Sequence, residues 1–243
     1  MYRHYIFTAT SYTKHRRVAI EVVVGEGEQN QHAKEVHREI MGRNIHSVPV
    51  SLHVKDLASA ETEDVKKSDP YFEKVYFCKS VDEFMEYVNA DLQLSSIDIA
   101  AYILSRMDAG KLKLQKLVYL CYEAYLKQTG QQLFDDGIYA FQYGPVAEDF
   151  YYQTRDYKDE DLRDKLITDF DDHTPTVKDC RMARAEDGLT KMAVIKEVLQ
   201  KYGDLSAHEL VALTHQPGTA WETAYDGTTW KRIPDSLILR CAK

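Results

Sequence analysis

The chain has 243 residues and carries 31 Lys and Arg against 39 Asp and Glu, a formal net charge of −8. Hydrophobic residues at 44% and charged residues at 29% give a globular composition, and only 6 Pro and 11 Gly exclude a collagen-like or Pro-rich chain. No stretch approaches the roughly 18 consecutive apolar residues of a membrane span, and the acidic balance works against binding a polyanion over a broad face.

Met1–Thr10 mixes Arg3 and His4 with Tyr and Phe and lacks the apolar core of a signal peptide. The cysteines (Cys78, Cys121, Cys180 and Cys241) are scattered, with no CxxC spacing. Both features predict a cytoplasmic protein with reduced thiols, no disulfide framework, no metal site and no cofactor. The one basic knot, Lys14-His15-Arg16-Arg17, is expected to be a solvated loop.

Residues 1–92 read as a small mixed α/β module. Tyr5–Thr8 and Val18–Val24 are β-prone runs, the second ended by Gly25-Glu26-Gly27. Ala33, Val36, His37 and Ile40 fall at helical spacing before Gly42. Val48, Val50, Leu52 and Val54 alternate with polar or small residues, which predicts a strand burying that face. Glu61–Asp69 is polar, Asp69-Pro70 marks a turn, and Tyr71–Cys78 has strand character. Ser80 and Glu83 have the spacing of a capping box opening a helix through Phe84, Tyr87 and Val88.

Residues 93–243 read as a mainly helical domain, which makes the fold class α+β. Ser95 and Asp98 again have capping spacing, and the helix they open is expected to end near Gly110. Lys111–Thr129 is apolar around nearly its whole circumference, so it is expected to be the central helix, stopped by Gly130. Asp135-Asp136-Gly137 is a turn signal of solvated character, and Ile138–Tyr143 crosses in extended form. Gly144-Pro145-Val146-Ala147-Glu148-Asp149 is expected to start the next helix, with proline in the first turn and two carboxylates near the positive end of the dipole. The charge-rich stretch 156–187, with Asp171-Asp172 inside it, reads as a hinge, a poorly periodic helix or a long loop. Leu189–Leu199 marks a further helix. Leu205–Leu210 combines a Ser206/Glu209 capping box with a Leu205/Leu210 staple, ahead of Thr214-His215, Pro217-Gly218 and Trp221.

Three segments of this second part resemble the Panacea family, the SocA-like, phage-associated antitoxin domain. They are Lys113-Leu114-Gln115-Lys116-Leu117-Val118-Tyr119-Leu120 with Gly130 and Leu133-Phe134, then Ala140-Phe141-Gln142-Tyr143-Gly144-Pro145-Val146, then Leu205-Ser206 with Glu209-Leu210, Leu213-Thr214-His215 and Trp221. Together they span about residues 95–225. The resemblance implies a compact helical domain that neutralises a cognate protein toxin by direct contact. It also implies two alternatives: an adaptor that delivers the toxin to a ClpXP-type protease, or a DNA-binding autoregulator of its operon.

Partner contact is expected at Gln115, Lys116, Tyr119 and Tyr122 on the central helix, where polar and aromatic groups recur at three-to-four spacing. It is also expected at Tyr143, Gly144 and Pro145, at Tyr151 and Tyr152, and at His215 and Trp221. Leu114, Leu117, Val118, Cys121 and Tyr125 are assigned to the core, and His215 to the end of its helix with Trp221 beside it. The 17 tyrosines suit interfaces, since each joins a large contact area to a polar tip. No GxGxxG, GxxxxGK, HExxH or GxSxG motif is present, so the chain is not expected to be an enzyme.

Overall fold

The computed structural model describes residues 1–167 and 175–241, and the fold is α+β. The chain divides into two compact units, Met1–Leu92 and Gln93–Lys243.

The first unit is built on strands β1 (Tyr2–Ser11), β2 (Arg16–Gly25), β3 (Ser51–Leu57) and β4 (Tyr76–Phe77), in the order β3-β1-β2-β4. β1 pairs antiparallel with both β2 and β3, and β4 runs parallel to β2. Period-two alternation sends Phe7, Ala9, Val18, Ile20, Val22 and Val24 to one face. There they pack on helices α1 (Gln31–Arg43) and α3 (Val81–Asn89) through Ala33, Val36, Ile40, Phe84, Met85 and Val88. Ile6 and Ala19 face the other way, onto Val65 of α2 (Thr62–Ser68), Phe72 and Val75. On this second face His4 is fully buried between two acceptors, Glu21 Oε1 at 2.7 Å and the Ser59 carbonyl at 2.8 Å.

Four sequence expectations change here. Leu52 and Val54 of β3 are 49% and 52% exposed rather than buried. They share a face with Phe7 and Tyr5, but β3 is an edge strand and the covering helices pack on β1 and β2. The polar run 61–69 forms α2, anchored by Val65 alone and supported by Lys66–Glu63 and Lys67–Asp64 pairs one turn apart. The Tyr71–Cys78 strand shrinks to two residues, because Asp69 accepts from Tyr71 N–H and folds Pro70–Phe72 into a 3₁₀ turn. At α3 the Ser80 hydroxyl accepts from Glu83 N–H, but the Glu83 carboxylate reaches Lys79 N–H and the Tyr76 hydroxyl, so the box is only half closed.

In the second unit α4 (Ser96–Leu104), α5 (Lys111–Thr129), α6 (Glu148–Thr154), α7 (Leu162–Leu166), α8 (Pro175–Arg184), α9 (Gly188–Tyr202), α10 (Ala207–Thr214), α11 (Ala220–Ala224) and α12 (Asp235–Cys241) surround one core. A small sheet of β5 (Ile138–Phe141), β6 (Gly144–Ala147) and β7 (Lys231–Arg232) adds to it, in the order β6-β5-β7. α5 is the central helix: Leu114 through Tyr122 are all buried, and it touches α4, α6, α9, α10, α12 and β6. Its C-terminus stops at Gly130 in the left-handed conformation, φ +72°. The capping boxes at Ser95/Asp98 and Ser206/Glu209 form with both bonds in place.

Three elements of this unit differ from the sequence reading. α4 ends at Leu104, and Gly110 instead caps the start of α5, where Asp159 accepts from Lys111 N–H at 2.9 Å. Gly144–Ala147 is a strand, and the helix begins only at Glu148. Asp136 is no solvated turn residue: its carboxylate accepts from Ser96 N–H and Asp149 N–H, tying the starts of α4 and α6 together, and burial pushes its pKa up. The stretch 156–187 holds a 3₁₀ turn at Asp159–Asp161, then α7 and α8; Asp171-Asp172 lies outside the described residues.

Candidate functional site

The three Panacea-like segments meet at the β5–β6 hairpin. Phe141 pairs with Gly144 across the two-residue turn Gln142-Tyr143, and Ala140 pairs with Pro145. Lys116 Nζ donates to the Pro145 carbonyl at 2.7 Å. That carbonyl points at α5 and away from β5, and on an antiparallel strand the same residue's N–H would point the same way. A proline therefore removes no ladder bond here, so the edge strand accommodates it. From the other side, Trp221 Nε1 donates to the Phe141 carbonyl at 2.7 Å. Segments one and three thus each pin one strand of the hairpin that segment two makes.

Gly144 is required twice over. Its φ is +102°, and a Cβ there would stand 2.8 Å from Thr214 Oγ1 and 2.9 Å from Lys116 Nζ. That crowding shows how closely α5, α10 and the hairpin approach. Lys116 is 1% exposed, and burial lowers its pKa to about 7. His215 closes the C-terminus of α10 through its own N–H, which donates to the Val211 carbonyl at 3.0 Å. Its ring lies parallel to Trp221, with centroids 3.6 Å apart, and Trp221 stacks in turn on Tyr225 at 4.9 Å. Burial, and then the nearby Lys116 charge, lowers the His215 pKa. His215 Nε2 and Gln115 Nε2 are buried with no hydrogen-bond partner among the described residues.

The hairpin has an aromatic back. Trp230, held at φ +66°, stacks on Tyr152 and meets Tyr139, Phe141 and Tyr151 edge-on, with centroids between 4.8 and 5.5 Å. Between this cluster and α5 lies a cavity of about 320 Å³. Leu112, Phe141, Val146, Phe150 and Tyr151 form its apolar lining, and Tyr143 also borders it.

The residues expected to touch a partner separate into two groups. Tyr143 and Tyr152 are 62% and 48% exposed, and Tyr151 is half-buried, with its ring against those of Tyr152 and Phe141. Gln115, Lys116, Tyr119, Tyr122, Gly144, Pro145 and Trp221 are buried, and His215 is half-buried. Tyr122 serves the fold: its hydroxyl donates to Asp235 Oδ1 at 2.7 Å and holds the start of α12. Tyr125 does the same for α9 through Asp187 Oδ2. Sequence reasoning passed over Arg155 and Trp230, and named Phe141 only within a motif segment. Arg155 and Trp230 stand in segments without apolar period, and only the fold brings them beside the hairpin.

Residues 114–222 match the family model described as the antitoxin SocA-like, Panacea domain, as the sequence resemblance implied. No curated protein and no solved structure matches the chain. Among the described residues no helix is long and apolar enough to cross a membrane.

Proposed function

We propose that this chain is an antitoxin that neutralises a cognate protein toxin by direct binding, with the stapled hairpin and its exposed tyrosines as the contact surface. The observation that carries the reading is the Panacea match over residues 114–222, whose three motif segments converge on one hairpin. The match supports a general antitoxin role and a non-enzymatic one. The hairpin tip and its flank supply what a protein interface needs: Tyr143 and Tyr152 outside, and a rigid support of Phe141, Tyr151 and Trp230 beneath. A contact of standard size, about 1,600 Å² in total, would be enough for tight inhibition. The autoregulator reading had its only support in the basic knot, and there Arg16 and Arg17 lie over the rings of Tyr76 and Tyr71.

The test is co-expression with the product of the neighbouring gene. Growth arrest by that product alone, relieved when this chain is present, is the expected result. A neighbour that is harmless, or one that stays toxic beside this chain, would sink the assignment.

A further inference from the structure

The cavity beside the hairpin departs from the charge balance of the chain. Lys111, Lys116 and Arg155 line it, and no aspartate or glutamate does so among the described residues, although the chain as a whole carries a net −8. Among the described residues the ion-pair partner of Arg155 Nε is Asp156 at 3.4 Å, and both groups are solvent-exposed. Lys111 Nζ donates to the carbonyls of Arg155 and Tyr157, which holds the ammonium in place without neutralising it. Lys116 Nζ donates to the Pro145 carbonyl and has further protons to give. Gln115, 6% exposed, is one of the residues bordering the same cavity, and its buried amide nitrogen finds no acceptor among the described residues. A buried donor without an acceptor is costly, and it is a reason to look for a ligand that supplies one.

We propose that this cavity binds a carboxylate carried on an apolar body, and that a segment of the protein partner supplies it. The inference rests on the antitoxin reading for the identity of that source. The apolar body would lie against Phe141, Phe150 and Tyr151, and the carboxylate would accept from Gln115 Nε2 and face the Lys116 ammonium. A neutral carbonyl would satisfy Gln115 but bring no charge to the basic side chains that line the cavity. About 320 Å³ is room for one large side chain or a chain end, at the lower limit of sites that hold small ligands. Tyr143 lines the cavity at 62% exposure, so the cavity opens onto the surface a protein partner would cover.

The probes are N-acetyl-L-phenylalanine and its C-terminal amide, titrated at millimolar concentration into the full chain and followed by amide NMR shifts. The acid is expected to shift signals of Gln115, Lys116 and the hairpin, and to bind about tenfold or more tighter than the amide, the ratio for one charge-assisted bond. Gln115→Leu removes a side-chain amide with no internal partner, so the fold should persist while the preference for the acid disappears. Lys116→Met is expected to act the same way, with circular dichroism checking that it folds. Equal binding of acid and amide, or no shifts with either, overturns the site. In the co-expression assay Gln115→Leu should lose neutralisation. If it neutralises as well as the parent chain while the acid preference stands, the carboxylate does not come from the partner and that part of the proposal fails. A parent chain that never neutralises counts against the antitoxin reading, whereas the fragment titration reports on the cavity alone.

Discussion

Lys116 is a basic side chain at 1% exposure whose Nζ donates to a backbone carbonyl, so its protonation is tied to folding. Its pKa is about 7 in the folded chain against an ordinary 10.5. Across that window the unfolded chain holds a proton that the folded chain lacks, so stability gained from this residue rises with pH. Below pH 7 the burial penalty is full. Subtracting the urea-unfolding free energy of Lys116→Met from that of the parent should therefore give a difference that grows between pH 7 and 10; a flat difference would refute the linkage. Gly144 lies beside it and tolerates no side chain. Gly144→Ala should cost about 2–4 kcal/mol, from a disfavoured backbone region and from the clash with Thr214 Oγ1 and Lys116 Nζ. A variant with an unchanged urea midpoint would show that the hairpin can move away from α5.

At the scale of elements, the hairpin and α5 depend on a few directed bonds between segments far apart in the chain. Trp221→Phe keeps the stack on His215 and Tyr225 but deletes the donor to the Phe141 carbonyl, so it should destabilise by about 1–2 kcal/mol. Calorimetry of the variant is the check. Tyr122→Phe leaves Asp235 with Gln132 as its remaining donor, and a similar loss is expected. Many of these elements are legible in the sequence. Ser95/Asp98, Ser206/Glu209 and Gly130 mark helix ends within four residues of themselves, because the bonds that satisfy a helix terminus are local. β6 was not legible. The same Gly-Pro dipeptide suits a helix start or an edge strand, and a bond that holds the strand in place comes from Lys116, 29 residues away.

For the whole molecule, the second unit has its own core, centred on α5, and its own capping and ion-pair framework, such as Arg181 with Asp98 at 3.1 Å. Residues 93–243 expressed alone should therefore unfold in one cooperative thermal transition, and a broad, non-cooperative melt would contradict this. The same fragment is expected to lose part or all of its neutralising capacity, which growth in the co-expression assay would score. The sequence by itself determined the fold class, the two kinds of grammar before and after residue 92, the helix caps and the Panacea resemblance, because each is written in composition, in period, or in residues close together along the chain. Only the tertiary structure decided that Tyr122 and Lys116 are buried while Tyr143 is not, that Leu52 and Val54 lie bare on an edge strand, and that cations gather around one cavity of an acidic chain. Exposure and local charge are properties of what folds against a residue, and those neighbours come from segments that no local pattern connects.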